Sequence, residues 1–268
     1  MATDNHSKDS TLSRGFRVQG RILWALILRE MITRYGRENI GILWLFAEPL
    51  LFIVGIAVLW SYFDSRSVST GTIAEFAIVS YPTILLWRNT TGRVTKAIEA
   101  NKSLLHHRLI RPADFFYSRI ILEFTSVTAS FILIFLVFMF LDISHPPADL
   151  LIMTTGWLLT AWFAFWFVLI MGALSEMNDV IDKISHVILY FMLPVSGAFI
   201  PAYVIPQHLR DYLLLFPLVD SVEYFRAGYY GDAMKTYYDL EYTVVANLVM
   251  TLFALALMVK AIKKVETA

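Results

Sequence analysis

The sequence contains no cysteine among its 268 residues. Disulfide bonds, thiolate nucleophiles and cysteine-ligated metal sites are therefore excluded. Charged residues are also scarce, at 16%, and the 22 Lys and Arg residues balance the 22 Asp and Glu residues. A chain without net charge has no global field that attracts a polyanion, so we expect no nucleic-acid partner.

Motifs for hydrolytic and metal chemistry are missing as well. Without a G-x-x-x-x-G-K-[ST] loop we expect no ATP hydrolysis by this chain itself. Without H-E-x-x-H or G-x-S-x-G we predict no catalytic residue, metal or other cofactor in it.

The remaining candidate for a metal or proton site is Asp182 with His186, four residues apart on one helix face, with Asp179 about one turn earlier. Because no further ligand is evident, we expect these residues to cap or hydrate a helix end instead.

The sequence is rich in apolar residues. Hydrophobic residues make up 57% of the chain, whereas soluble domains have about 45–50%. This excess indicates an all-α integral membrane protein. A helix needs about 20 mostly apolar residues to cross the hydrocarbon core. Six segments of a domain at residues 41–264 meet that requirement, at 41–63, 73–93, 115–141, 148–174, 180–199 and 242–259.

Residues 1–40 form an N-terminal region without a predicted span. Its apolar run at residues 22–28 is too short to cross a membrane and is flanked by arginines. This pattern favours a helix that lies in the membrane interface. A plain cytoplasmic helix is the alternative, because Leu23 and Ile27 interrupt the polar face.

The distribution of basic residues sets the orientation of the spans. If the N-terminus is inside, 18 of the 22 Lys and Arg residues fall on the inner side. Only four fall on the outer side, namely Arg66, Arg210, Arg226 and Lys235. The positive-inside rule therefore places both termini in the cytoplasm.

Two connections between spans have unusual content. Residues 96–114, on the inner side, form a loop long enough for a short helix that Pro112 is expected to end. Residues 201–241, on the outer side, are rich in aromatic residues and proline, and their apolar stretch at 212–219 is too short to span. We predict that this outer segment forms a re-entrant or interfacial element between the fifth and sixth spans.

Charged residues inside predicted spans point to a bundle interior or a transport pathway. An ionisable group at membrane depth costs roughly +2.5 to +3.5 kcal/mol. Glu48 and Arg88 lie at similar depths in the first and second spans and either pair with each other or reach the headgroups. Arg119 and Glu123, four residues apart in the third span, are predicted to satisfy each other.

Two sequence signatures resemble the membrane subunit of polysaccharide ABC exporters. The first consists of residues 28–36 (LREMITRYG), 39–44 (NIGILW) and 48–50 (EPL). The second consists of residues 193–201 (LPVSGAFIP), 204–206 (VIP), 216–218 (FPL) and 223–226 (EYFR). Together with the form of residues 32–37 and 41–46, they are most similar to the capsule branch of that family, the KpsM type.

The resemblance implies an assembly and a substrate. Two copies of this chain would combine with two copies of a separate ABC ATPase, which binds ATP and Mg²⁺. The complex would move lipid-linked capsular polysaccharide across the bacterial inner membrane, towards a periplasmic co-polymerase and an outer-membrane polysaccharide export protein. The family's short cytoplasmic helix that docks on the ATPase corresponds here to Ser103, Leu104, Leu105, His106, His107, Arg108 and Arg111.

Aromatic rings beside cationic groups suit a long, hydrated polymer, because stacking is largely indifferent to the identity of a sugar. We hypothesise that the path is lined by Trp44, Trp60, Tyr62, Arg66, Trp87, Arg88, Tyr224 and Arg226. The alternative for the aromatic residues is an ordinary interfacial belt that faces lipid.

Two other functions compete with a transporter subunit. One is a membrane-embedded enzyme that acts on lipid-linked sugars, with Asp179, Asp182 and His186 as its site. The other is a channel or carrier that works without an ATPase.

Overall fold

The computed structural model describes residues 4–35, 50–52, 54–55, 58, 73–106 and 109–267. Its helices are α1 (Asp4–Tyr35), α2 (Ile73–Val94), α3 (Pro112–Phe140), α4 (Leu150–Met177), α5 (Asp179–Val195), α6 (Gln207–Leu213), α7 (Pro217–Tyr230) and α8 (Leu240–Thr267). Short 3₁₀ helices lie at Glu99–His106, Ala202–Val204 and Gly231–Ala233, and residues 50–52, 54–55 and 58 are also helical. No β-strand occurs within these ranges, which confirms the predicted all-α class for them.

Three of the described helices are long and apolar enough to cross a membrane. They are α3, α4 and the part of α8 at Leu240–Val265, which correspond to the third, fourth and sixth predicted spans. The count of six spans and the re-entrant element at 201–241 stay predictions.

Helix α5 ends earlier than the predicted fifth span. The sequence placed that span at 180–199, whereas the helix stops at Val195. Pro194 lacks the N–H group that would bond the carbonyl of residue 190, so the last turn of the helix is weakened. Gly197 then turns the backbone at a φ of 72°, a conformation that residues with a Cβ rarely adopt. The chain enters the outer segment directly after this turn.

Helix α1 extends well beyond the apolar run that predicted it, since it has 32 residues. Polar contacts join it to α3. Gln19 donates a hydrogen bond to the carboxylate of Asp114, and Glu30 Oε1 lies 3.4 Å from Arg119 Nε. These contacts position α1 beside the N-terminal end of α3.

Arg119 and Glu123 were predicted to pair with each other, but each forms an ion pair with a residue of another helix. Arg119 pairs with Glu30 of α1 and also donates to the carbonyl oxygen of Arg93 at 2.6 Å. Glu123 lies 4.0 Å from Arg93 Nε. The spacing of four residues would allow a pair within α3, but neighbouring helices supply the partners.

Pro112 begins α3; the prediction that it ends the preceding short helix is wrong. Proline is favoured at the first helical position, because its missing N–H would have no partner there. Arg111 precedes it in an extended conformation, and its N–H donates to Asp114 Oδ2 at 2.9 Å. The short helix of the 96–114 loop is the 3₁₀ helix at Glu99–His106, which ends well before Pro112.

Helix α4 lies at the centre of the described structure, packed against α2, α7 and α8. Its N-terminus is capped by Asp149, whose side chain accepts the N–H groups of two first-turn residues at 2.8 and 3.0 Å. Two indole groups bind it to α8. Trp162 Nε1 donates to Thr251 Oγ1, and Trp166 Nε1 donates to Asn247 Oδ1, both at 2.8 Å.

Two glycines bring α4 and α7 into backbone contact. A Cβ added at Gly228 of α7 would lie 2.1 Å from the backbone nitrogen of Met153. A Cβ added at Gly156 of α4 would lie 2.5 Å from the backbone of Phe225. No side chain fits at either position without moving a helix, so these glycines determine how closely the two helices pack.

Candidate functional site

A polar cavity lies between α2 and α5. Its volume is about 310 Å³, and it is lined by Arg88, Asn89, Gly92, Arg93, His186, Leu189 and Tyr190. The guanidinium carbon of Arg88 lies 5.1 Å from the ring centroid of Tyr190, within the range of a cation–π contact. Two guanidinium groups and an imidazole around one cavity suit an anionic or hydroxyl-rich ligand.

Two residues predicted to line the polymer path are buried inside the chain. Trp87 and Arg226 have no exposed surface, and Trp87 packs edge to face on Phe167 with ring centroids 6.1 Å apart. Neighbouring residues of the described structure cover both side chains, and their place in the polymer path stays a prediction. Arg88 and Tyr224 are half-buried and stay candidates.

The remaining predicted path residues lie outside the described residues. They are Trp44, Trp60, Tyr62 and Arg66. Glu48, the predicted partner of Arg88, lies outside them too, so the pairing of Glu48 with Arg88 stays a prediction.

Arg226 instead forms the centre of a buried cluster on α7. All five of its N–H donors have acceptors, as a guanidinium group requires when it is buried. Nη1 donates to Glu223 Oε1 at 2.9 Å and to the Gly197 carbonyl at 2.7 Å. Nη2 donates to the Ala198 carbonyl at 2.6 Å, and Nε and Nη2 both donate to Ser80 Oγ, at 3.2 and 2.9 Å. These bonds join α7 to α2 and to the turn that follows α5.

Glu223 extends this cluster to the rest of the outer segment. Its Oε1 accepts the N–H of Ala202 at 3.2 Å, and its Oε2 accepts the N–H of Tyr237 at 3.3 Å. The carboxylate thus holds backbone groups before and after α7. Because both members of the ion pair are fully buried and hydrogen-bonded, removing one of them leaves an uncompensated charge.

A second buried carboxylate joins three elements of the structure. Glu75, at the start of α2, accepts from the Tyr229 hydroxyl of α7 at 2.6 Å. It also accepts the backbone N–H of His145 at 3.2 Å, and the imidazole Nδ1 of His145 lies 2.9 Å from the same oxygen. The loop between α3 and α4 is therefore bound to α2 and α7.

Polar contacts hold the 96–114 loop. Asn101 is buried, its Oδ1 accepts from Arg29 of α1 at 2.7 Å, and its Nδ2 donates to the Ala97 carbonyl at 2.8 Å. The predicted ATPase-contact residues that the structure describes are exposed or half-buried, namely Ser103, Leu104, Leu105, His106 and Arg111. His107 and Arg108 lie outside the described residues.

The residues of the alternative enzyme site have different surroundings. Asp179 forms an ion pair with Lys96, and this contact lowers the pKa of the Asp179 carboxyl and raises the pKa of the Lys96 ammonium. His186 lines the cavity between α2 and α5. Within the described ranges, no three His, Asp or Glu side chains are grouped so that they could hold a metal ion.

Sequence reasoning missed the ion pair of Glu223 and Arg226 and the contact of Glu75 with Tyr229. The first pair carried a signal, since opposite charges three residues apart in an apolar helix tend to meet. The second pair is 154 residues apart in sequence, so no local pattern could have found it.

Asp220 is a further buried carboxyl group on α7, which lies outside the predicted spans. It is 1% exposed, and its Oδ2 accepts from Thr243 Oγ1 of α8 at 3.1 Å. Its Oδ1 has no hydrogen-bond partner among the described residues. Burial, with Asp239 and Glu223 nearby, raises the pKa of Asp220 to about 7.

We expect the free energy of unfolding to fall as the pH rises from about 4 to about 7. In this window the folded chain binds the Asp220 proton more tightly than the unfolded chain does, and above it the effect is constant. The difference between the two pKa values corresponds to at most about 4 kcal/mol. Replacing Asp220→Asn should flatten the pH dependence of the unfolding temperature in detergent. A variant whose profile matches the unchanged chain would contradict this prediction.

Comparison with known proteins gives consistent matches along the chain. The family model described as ABC-2 type transporter matches residues 21–230. The capsule polysaccharide export inner-membrane protein CtrC of Neisseria meningitidis serogroup B is 40% identical over 249 residues, which are 93% of this chain and 94% of that protein.

Two further relatives match over a similar length. The capsule polysaccharide export inner-membrane protein BexB of Haemophilus influenzae is 37% identical over 96% of this chain and 97% of its own length. The polysialic acid transport protein KpsM of Escherichia coli is 26% identical over 91% of this chain and 94% of its own length.

Proposed function

The chain belongs to the ABC-2 type transporter family, and we propose that it is the membrane subunit of an ATP-driven exporter of lipid-linked capsular polysaccharide. The observation that supports this substrate is the 37–40% identity, over more than nine-tenths of the chain, to two capsule polysaccharide export inner-membrane proteins. The exporter acts at the bacterial inner membrane and moves the polymer from the cytoplasm to the periplasm.

The active complex contains two copies of this chain and two copies of a separate ABC ATPase. Each chain crosses the membrane six times, has both termini in the cytoplasm and carries a re-entrant element at residues 201–241. The polymer leaves towards a periplasmic co-polymerase and an outer-membrane export protein. The absence of a phosphate-binding loop in the sequence and the basic composition of the predicted inner segments support this arrangement.

The cavity between α2 and α5 is the part of the described structure that suits the substrate. Arg88, Arg93 and His186 supply cationic or hydrogen-bonding groups, and Tyr190 supplies an aromatic face. Such contacts are individually weak and can be exchanged, which conduction requires.

Deletion and complementation test the proposed function. In a bacterium without this chain, capsular polysaccharide should accumulate inside the cell, and the restored chain should return it to the surface. The purified chain alone should neither hydrolyse ATP nor transfer sugars or phosphate. Transferase activity without a partner would support the membrane-embedded enzyme, and ion flux without nucleotide would support a channel.

Cysteine crosslinking tests the predicted ATPase contact. Because the chain has no cysteine of its own, a single Leu105→Cys variant should form a specific crosslink to a cysteine on the ATPase surface. Leu141→Cys is the matched control, since Leu141 follows the predicted outer end of α3 and is 56% exposed. If the complex assembles and the Leu105→Cys variant gives no more crosslink than the control, the contact lies elsewhere.

A further inference from the structure

The 96–114 loop is attached to the inner end of α4. The side chain of Glu176, in the last turn of α4, accepts the backbone N–H groups of Ile98 at 2.7 Å and Glu99 at 3.4 Å. These N–H groups stand at the start of the 3₁₀ helix, where backbone donors have no partner within the helix. The N–H of Lys96 also donates to Ser175 Oγ of α4 at 3.1 Å.

An ion-pair bridge strengthens this attachment. The ammonium group of Lys96 contacts Asp179, the first residue of α5, and lies 2.8 Å from Glu99 Oε2. Lys96 itself has a φ of 54°, a left-handed conformation that costs energy for a residue with a Cβ. Contacts on both its backbone and its side chain hold it there.

Helix α4 continues without a break from this attachment to the outer side. Its 28 residues correspond to a length of about 42 Å at about 1.5 Å per residue. It contains no proline, and its side chains are packed between α2, α7 and α8. A helix with these properties moves as one body, because sharp bends need a proline, a bulge or an inserted group.

At its outer end α4 is joined to α7 by backbone contacts. The N–H of Ala148 donates to the Tyr229 carbonyl at 3.0 Å, and the N–H of Asp149 donates to the Gly228 carbonyl at 2.8 Å. Together with the close approach at Gly228 and Gly156, these bonds bring the backbones of the two helices into direct contact at these positions. A displacement of α4 therefore reaches α7 directly.

We infer that α4 transmits the motion of the ATPase from the 96–114 loop to α7, and that Glu176 is the positioning residue for this transmission. The inference rests on the proposed function, since it requires an ATPase that contacts the loop. It treats α4 and α7 as one rigid body. Rigid, packed elements with two discrete arrangements can carry such coupling, and the test below asks whether α4 has a second arrangement that ATP favours.

The test uses the full complex with its ATPase in lipid vesicles and one reporter cysteine. Ala233→Cys places the cysteine on the exposed outer 3₁₀ helix that follows α7. In this otherwise unchanged chain, ATP should alter the rate of labelling by a membrane-impermeant maleimide at least threefold. Adding Glu176→Ala should abolish that response while ATP hydrolysis stays within twofold, and export per ATP hydrolysed should fall at least tenfold.

Matched variants show whether Glu176 transmits the motion of the ATPase or only stabilises the structure. Glu176→Gln retains an acceptor oxygen and should keep most of the labelling response, and Glu99→Gln, which alters only an exposed partner of Lys96, should keep all of it. If Glu176→Ala does not assemble, Ser175→Ala takes its place and should reduce the response.

Three results would overturn the inference: a labelling rate that ATP does not change, an assembled Glu176→Ala variant with an unchanged response, or an unchanged response in its substitute, Ser175→Ala. Failure of the unchanged complex to export polysaccharide would instead count against the proposed function.

Discussion

Replacing Arg226→Met is expected to destabilise the chain by about 3–5 kcal/mol, the cost of leaving one member of a buried ion pair without its partner. Methionine has a similar length but no hydrogen-bond donor. The variant would leave the carboxylate of Glu223 uncompensated and would remove the bonds to Ser80 Oγ and to the carbonyls of Gly197 and Ala198. Thermal unfolding in detergent measures the loss, and the amount of folded chain in membranes gives a second readout.

Two further variants show whether the ion pair is the cause. Adding Glu223→Gln to Arg226→Met should recover part of the loss, because the buried charge is then removed. Arg226→Lys should not restore stability, since an ammonium group cannot replace the planar, five-donor guanidinium group. Arg210→Met is the control from the same outer segment, because its guanidinium group is half-buried and lies over the ring of Tyr237 at 3.8 Å, and it should cost about 1 kcal/mol or less. Equal losses at Arg226 and Arg210 would argue against a special role for the cluster.

Replacing Gly228→Ala is expected to destabilise the chain by about 3 kcal/mol, at the upper end of what overpacking a core usually costs. The added methyl group would lie 2.1 Å from the backbone nitrogen of Met153, so α4 and α7 must separate to admit it. Separation would also stretch the bond from the Asp149 N–H to the Gly228 carbonyl. The unfolding temperature is again the measurement.

Gly20→Ala is the control variant, and its expected change in stability has the opposite sign. Gly20 lies on α1, and a Cβ there meets nothing within 4 Å. Alanine favours a helix over glycine by about 1 kcal/mol, so this variant should be as stable as the unchanged chain or more so. If both glycine variants behave alike, the backbone contact between α4 and α7 does not limit stability.

The apolar runs of the sequence were sufficient to locate the long helices. The third span, predicted at 115–141, corresponds to Pro112–Phe140, and the fourth, predicted at 148–174, corresponds to Leu150–Met177. This works because a membrane helix must be apolar over its whole length. The ends of helices depend on local groups, such as Pro112 and Gly197, so their positions were predicted less accurately than the positions of the spans.

The candidate site was harder to predict, because its residues are defined by what surrounds them. Trp87 and Arg226 looked like exposed path residues by type and position, yet neighbouring helices bury both of them. The role of Gly228 depends on a partner in α4 that is 75 residues earlier in the chain. Arg119 had a plausible partner at a spacing of four residues, but α1 supplies a different one. Helical periodicity contains no information about such contacts.

The indole bonds between α4 and α8 have a consequence for the synthesis of the chain. The ribosome makes α4 first. Asn247 and Thr251, which accept the N–H groups of Trp166 and Trp162, follow their partners by 81 and 89 residues. A polar group without a partner in the hydrocarbon core is costly, so α4 reaches its final state only after α8 has been inserted beside it. A nascent chain that stops before Asn247 therefore lacks the acceptors of both indole N–H groups.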